Sequence, residues 1–409
     1  MPPSHSAQPE PPIGLVLGAD SLVARRSGIG RVTLEIALAL RGRPEIAAAS
    51  LLVQGRLRSP DMLDEILRAE DGSPAGAGPS PALLLAKRIA GAVPGIHRLR
   101  ALRALRLTGS ALRALRDASP GGVVYHEPNF ILSPFRGVAV SAINDLSWHH
   151  HPEMHPRERI TWITRNLRDT LQRAARFVAI SQFTADAMVA ELGVPRDRVD
   201  VVPLAANPSF RPVEAGDAAP ALARAGLEDR GYVLSVSTLE PRKNFNRLFA
   251  AHRALPAALR KRFPLAIVGG KGWGTVLSTP EASAAVAEGS LKLLGHVPDD
   301  DLVPLYARAA VFAYVSLYEG FGLPIIEAMA AGTPVVASTT TAVGETAGDA
   351  ALLVDPLSEE SISAGLRAVL EDGALAEDLR ARGAARAPLF TWDRTMDCLI
   401  ASWRRALSG

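Results

Sequence analysis

The sequence predicts an α/β protein built from two tandem Rossmann-like domains that face each other across a cleft. Three observations predict it. Short apolar runs alternate with helical patterns along the chain; the alternation stops over an Ala/Pro/Gly-rich stretch and then restarts; and 409 residues exceed one ordinary core, at roughly 150 residues per domain.

The first alternation opens with a buried strand at 13–17. A glycine-bearing turn, Ser27-Gly28-Ile29-Gly30, and an apolar-periodic helix at 32–40 follow. Further strands are expected at 51–54, 123–126, 138–143, 177–180 and 199–202, with helices at 158–175 and 184–192. The stretch 208–229, rich in Ala, Pro, Gly and charge, reads as the interdomain linker. The second alternation places strands at 232–237, 265–268, 291–294, 311–315, 334–337 and 351–354, and helices at 359–370 and 374–386. The domains are therefore expected over 13–210 and 225–389, with a final helix within 390–409 packing back on the first. Ligands of such sheets sit outside the carboxyl ends of the strands.

Composition narrows the function classes. Hydrophobic residues make up 48% and charged residues 21%, the balance of a soluble globular chain. The net charge of +3 is small for this length and points to no polyanionic partner. The single cysteine, Cys398, excludes an intrachain disulfide and fits a reducing compartment. The first twelve residues, rich in Pro and Ser, read as a disordered tail rather than a signal peptide, and no apolar run has a membrane-spanning length. A cytoplasmic protein is expected. The stretch 71–81, rich in Gly, Pro, Ala and Ser, reads as a mobile loop.

The most informative segment is Ser316-Leu-Tyr-Glu-Gly-Phe-Gly-Leu-Pro-Ile-Ile-Glu-Ala-Met-Ala-Ala-Gly332, directly after a buried strand. Gly320 and Gly322 permit a tight turn and close approach of a ligand. Pro324 suits the first turn of a helix, whose free N–H groups and partial positive charge attract an anion. Glu319 and Glu327, eight positions apart, can hold hydroxyls on either side of a bound diphosphate. Each glutamate alone reads as an ordinary surface residue; the whole string does not.

This segment resembles the E-x7-E signature of glycosyltransferase family 4, a group of retaining enzymes with the GT-B fold. Thr238-Leu-Glu-Pro-Arg-Lys-Asn244, Ile267-Val-Gly-Gly-Lys-Gly-Trp273, Gly295-His-Val-Pro-Asp-Asp-Asp-Leu302, Gly28-Ile-Gly30 and Asn144-Asp-Leu-Ser147 are similar to the family's other motifs. The resemblance covers nearly the whole chain. It implies that Glu327 binds the ribose of a nucleotide sugar and Glu319 contacts the sugar or its surroundings. Amides around Gly320, Phe321, Gly322 and Leu323 would contact diphosphate or sugar. Arg242 and Lys243 would neutralise the diphosphate, with Ser237, Thr238, Gly269, His296 and Val297 around the donor. Family members often carry an arginine where this chain has Ser237 and Thr238, so Arg242 is expected to carry its share. Fixed cations aimed at a departing diphosphate lower the barrier, by about 3 kcal/mol per group.

On the acceptor side, Gly28 and Gly30 can present amides across the cleft, and Arg31 is a further cation. Relatives often carry His-Asp where this chain has Asn144-Asp145; Asp145 is retained as a candidate catalytic residue. His149, in the run His149-His150-His151, and His126, in Tyr125-His-Glu-Pro-Asn129, are acceptor-side candidates, with buried packing the alternative for His126. Adjacent histidines rarely converge on one ion, and neither the run nor a DxD-like motif suggests metal, so no metal and no cofactor beyond the nucleotide-sugar co-substrate are expected.

Between 87 and 116 there is no acidic residue, while Lys87, Arg88, Arg98, Arg100, Arg103, Arg106, Arg113 and Arg116 accompany leucines at three-residue spacing. Such a segment can lie on an anionic membrane, or bury its leucines as a domain helix. Without an aromatic platform it does not suggest nucleic acid. The resulting expectation is a retaining hexosyltransferase using GDP-mannose and a glycan or lipid-linked saccharide acceptor in bacterial surface-polysaccharide synthesis, placed at the inner face of the plasma membrane. The alternatives are a nucleotide-sugar epimerase on the same fold or a non-catalytic sugar-nucleotide-binding protein.

Overall fold

A computed structural model describes residues 10–22, 28–63 and 109–409. Seven strands form the first sheet in the order β3-β2-β1-β4-β5-β6-β7. They are β1 (Ile13–Gly18), β2 (Ile46–Val53), β3 (Arg56–Arg58), β4 (Val123–Glu127), β5 (Val138–Ile143), β6 (Arg176–Ala179) and β7 (Val199–Val201). All neighbours pair in parallel except β2 and β3, a hairpin turned by Gln54 and Gly55 at φ 47° and 74°. Positive φ at both central residues matches the twist of the paired strands.

The second sheet is fully parallel, in the order β10-β9-β8-β11-β12-β13. Its strands are β8 (Val233–Val236), β9 (Leu265–Val268), β10 (Leu291–Gly295), β11 (Val311–Tyr314), β12 (Val335–Ser338) and β13 (Leu352–Val354). These strands are apolar and largely buried because helices cover both faces. In each sheet the order reverses at one place, between β1 and β4 and between β8 and β11. The crevice at the carboxyl ends of those strands is the ligand position of an open α/β sheet.

The last helix, Trp392–Ser408, lies under the first sheet. Met396, Leu399, Ile400 and Trp403 pack on Leu15, Val124, Val140 and Val178, and Trp403 has no exposed surface. The chain thus returns from the second domain to complete the first.

Two expectations need correction. The stretch 208–229 is not simply a linker: it contains the helix Ala215–Ala225, which buries Ala218, Ala221 and Leu222 and ends at Gly226 in the left-handed region. Pro220 inside the helix masked its periodicity, and packing overrides that local cost. Strand β2 begins at Ile46, well before the expected 51, because parallel pairing with β1 carries the weak Ala47-Ala48-Ala49 run.

The arginine-rich region 87–116 falls largely outside the described residues, as do the terminal tail over 1–9 and the stretch 71–81. Its described end, the helix Gly109–Asp117, turns Leu112 and Leu115 into the first core, and Arg116 donates to the Arg136 carbonyl. That end is a packed domain helix. Among the described residues no helix is long and apolar enough to cross a membrane.

Candidate active site

Beyond β8 the chain makes a short helical turn at Pro241–Lys243 and reverses at Asn244, φ 62°. Asn244 fixes this turn: its Nδ2 donates to the carbonyls of Val315 (3.0 Å) and Pro356 (2.7 Å). Arg242 and Lys243 are thereby aimed at the loop after β11. Arg242 Nη1 donates to the Tyr318 carbonyl (3.0 Å) and Glu319 Oε2 (3.1 Å), and its Nε to Glu240 Oε2 (3.2 Å). Lys243 Nζ donates to Glu319 Oε1 (2.5 Å) and the Tyr314 hydroxyl (3.3 Å).

The side chains of Arg242, Lys243 and Glu319 are 14%, 9% and 8% exposed. Burial by itself would raise the Glu319 pKa, but the Lys243 and Arg242 charges overcome it and hold the carboxyl at about 2. Burial and the adjacent Arg242 push Lys243 down, with Glu319 resisting. Burial also works against the Arg242 charge; Glu319, Asp145 and Glu240 outweigh it and keep the guanidinium firmly protonated. The result is a desolvated two-cation site.

The glycine turn lies against this cluster. A Cβ on Gly320 would come 1.7 Å from the Asn144 carbonyl oxygen of the first domain, so only glycine permits this approach. Gly322 sits at φ 98° and starts the helix Leu323–Ala330, whose first turn no side chain caps. Such a start offers free N–H groups and a partial positive charge to an anion. Phe321 turns inward onto Phe390. Glu327, 5% exposed, accepts a hydrogen bond from the Tyr306 hydroxyl (2.9 Å). Burial raises its pKa against the opposing effects of Arg31 and Tyr306. A crevice between the domains reaches Glu327, lined by Arg31, Glu35, Asn207, Asp299 and Leu323. Arg31 spans it and pairs with Asp299.

The remaining donor-side candidates lie on the loops after β8, β9 and β10 and at the start of a first-domain helix. A Cβ on Gly269 would lie 1.8 Å from the Ser237 carbonyl oxygen, so Gly269 lets the ends of β8 and β9 close together beside Thr238. His296 is exposed on the loop after β10, while Val297 packs on the core. Gly28 opens the helix Gly28–Ala39 with no atom near its Cβ position, and Gly30 is buried in its first turn.

On the first domain, Asp145 Oδ1 accepts from the Ser147 amide (3.0 Å) and hydroxyl (2.8 Å). Asn144 Nδ2 donates to the Pro128 carbonyl (3.0 Å). His149 is half exposed and 3.7 Å from Glu191; its neighbour His150 meets the second domain, stacking on Tyr318 at 5.0 Å between ring centres. His126 is a correction: it is 1% exposed and packed on Trp403, on the sheet face covered by the last helix, not in an acceptor loop. Alternation along β4 decides this, because His126 shares the face of Val124. Among the described residues no three His, Cys, Asp or Glu side chains converge as metal ligands, the His149–His151 run included.

Several contributors have no local sequence signal of their own. Tyr306 holds Glu327 from 21 positions away, and the partners by which Asn244, itself the end of a motif, anchors the basic turn lie 71 and 112 positions away. His155 is buried, its Nε2 within 3.1 Å of the Ser147 hydroxyl, and burial with the nearby Arg159 and Arg242 charges pulls its pKa to about 4. Trp273 of the second domain lies beside His155 and donates its indole N–H to the Met154 carbonyl (2.7 Å). Trp273 does stand inside a recognisable motif, which was the one available pointer to it.

Comparison with known proteins gives the family and the fold. Residues 223–386 match the family model for glycosyl transferases group 1, and residues 26–210 match that for glycosyltransferase family 4. The chain is 35% identical over 378 residues to O-antigen chain mannosyltransferase B of Escherichia coli, covering 92% of this chain and 96% of that protein. It is 30% identical over 243 residues to the serotype-specific mannosyltransferase WbdA of Escherichia coli, covering 58% of this chain and 30% of that longer protein. Among solved structures, a glycosyltransferase from Rickettsia africae superimposes with a TM-score of 0.66 at 15% identity, over 98% of this chain and 100% of that one. HepE from Anabaena, in complex with UDP-glucose, gives 0.64 at 17% identity, over 95% and 98%. These structural likenesses bear on the fold, which is GT-B.

Proposed function

The chain belongs to the group 1, family 4 glycosyltransferases, and on that premise we propose that it is a retaining mannosyltransferase. It takes mannose from GDP-mannose and delivers it to a glycan or lipid-linked saccharide in bacterial surface-polysaccharide synthesis. Family membership sets aside the epimerase and the non-catalytic alternatives. The mannose assignment is supported by the 35% identity to an O-antigen mannosyltransferase along almost its full length.

One observation carries the mechanism: Arg242 and Lys243 converge, nearly buried, beside the uncapped start of the helix Leu323–Ala330. A diphosphate seated there meets two cations and free amides in a low-dielectric site, and that charge stabilisation grows as the leaving group departs. Glu319 holds the two cations in place and stays ionised. Glu327, oriented by Tyr306, accepts from the ribose hydroxyls. The bond from the anomeric carbon to the phosphate oxygen breaks on the face where the acceptor oxygen bonds. The acceptor proton passes to the departing phosphate oxygen. No covalent nucleophile is needed, and positioning supplies the rest. A lipid-linked acceptor would bring the enzyme to the inner face of the plasma membrane as a peripheral protein.

A thermal-shift panel of GDP, UDP and their sugars, followed by product analysis, tests this reading. At a hundredfold excess over Kd a true ligand stabilises the fold by about 2.7 kcal/mol. A shift with GDP and GDP-mannose, and an α-mannosidic product, are expected. A shift confined to UDP ligands would overturn the donor assignment.

A further inference from the structure

Glu127 ends β4 at the place where the order of the first sheet reverses. Its neighbour across that crevice is Gly18, the last residue of β1 and next in register after the pair Leu17–His126. A Cβ on Gly18 would lie 2.7 Å from Glu127 Oε2, so the glycine makes the room in which this carboxyl group lies. The carboxyl is held from the protein side by two donors. The Tyr125 hydroxyl donates to Oε2 (2.5 Å) and the Asn129 amide to Oε1 (3.2 Å). A carboxylate has about four acceptor positions, so two remain for a partner. Glu127 keeps partial exposure although the strand around it is buried.

The end of β4 is also tied to the donor turn through the backbone. The Pro128 carbonyl, next along the chain, accepts from Asn144 Nδ2, and the Asn144 carbonyl abuts Gly320 of the donor turn. Two contacts therefore link the end of β4 to the site where the sugar is released. No step in the mechanism above uses Glu127.

We infer that Glu127 is an acceptor-recognising residue, whose carboxyl group hydrogen-bonds hydroxyls of the acceptor sugar and orients the attacking one toward the donor turn. The inference rests on the glycosyl-transfer reading above and adds to it the first-domain side of the cleft. Its chemistry suits a polyol. Burial, with the nearby Asp20 charge, raises the Glu127 pKa to about 8 against the pull of Tyr125 and Asn129, so near neutrality the group can donate as well as accept.

The test compares the full-length wild type with Glu127→Gln, using GDP-mannose as donor and the octyl glycosides of mannose, glucose and galactose as acceptors. In the variant the amide presents an NH2 where the carboxyl group accepts, and KM for the glycoside used best is expected to rise up to about tenfold, the size of losing one ordinary hydrogen bond. KM for GDP-mannose and the thermal shift induced by GDP should stay unchanged. Tyr125→Phe, which frees the carboxyl without removing it, should raise the acceptor KM by a smaller factor, and it decides the matter if Glu127→Gln does not fold. An unchanged acceptor KM in the folded variants overturns the inference and leaves the donor reading intact. A wild type that binds GDP but transfers to none of the three glycosides overturns it as well. Absence of a GDP shift in the wild type overturns the donor reading instead.

Discussion

Lys243 and Glu319 meet at 2.5 Å, ammonium to carboxylate, while Arg242 takes the second carboxylate oxygen at 3.1 Å. The cations expected to meet a diphosphate thus have a protein carboxylate as their standing partner. Both Glu319 carboxylate oxygens are engaged by these cations. The arrangement fixes two long, flexible side chains in one geometry, which a positioned electrostatic site requires.

Replacing Lys243 by Ala removes one of the two cations that the proposed mechanism sets against the leaving diphosphate, and kcat/KM should fall by roughly a hundredfold to a thousandfold. Replacing Glu319 by Gln leaves two buried cations less compensated and should cost about 3 kcal/mol of stability. The double variant Lys243→Ala, Glu319→Gln should recover part of that stability but none of the activity. Denaturant unfolding and steady-state kinetics on the three proteins check this. Strictly additive stability losses would contradict the coupling.

Tyr306 orients Glu327 through a single hydrogen bond of 2.9 Å. Tyr306→Phe keeps the ring but frees the carboxyl. About 1 kcal/mol of stability should be lost, and the KM for the nucleotide sugar should rise several-fold with kcat less affected. A change in kcat alone would place Glu327 in the chemical step rather than in ribose binding.

Gly320 meets the Asn144 backbone with no room for a methyl group. Gly320→Ala should force the domains apart while each keeps its own core. Transfer should be lost, the radius of gyration from X-ray scattering should increase, and nucleotide binding on the second domain should weaken only modestly. Full activity in this variant would show that the close approach is not needed for turnover.

Two neighbouring groups at the end of β4 set opposite trends with pH. Burial lowers the His126 pKa from 6.5 to about 3. The unfolded chain binds a proton in that window that the folded chain does not, so stability falls as pH drops from 6.5 toward 3, by several kcal/mol in all. His126→Asn should flatten the acid side of the Tm profile. Glu127, raised to about 8, stabilises the fold most below pH 4.5, and that contribution is lost as pH climbs through 8. Glu127→Gln should therefore lose less stability than the wild type between pH 5 and 9.

The strand–turn–helix from Val311 to Ala330 was legible because its signals are local: a buried apolar run, two glycines, then a proline in the first helical turn. The same held for β9, a short apolar run bounded by turn residues. The helix Ala215–Ala225 was hidden by Pro220, since its stability comes from the helix Asp299–Ala307 packed beside it rather than from its own composition. His126 and Glu127 are adjacent in one motif, yet lie on opposite faces of β4. One is sealed under Trp403 and the other lies beside Gly18.

The sequence by itself determined the two βα domains, the position of the donor turn and the family, because apolar period and Gly/Pro turn chemistry act between residues a few positions apart. Only the tertiary structure decided which carboxylate holds Arg242 and Lys243, which tyrosine orients Glu327, and which residue of the Tyr125–Asn129 motif lies sealed under the last helix. Those choices belong to hydrogen bonds and charges that act over a few ångströms in space. Their partners lie 76 positions apart for Lys243 and Glu319, and 21 for Tyr306 and Glu327, so no local pattern records them.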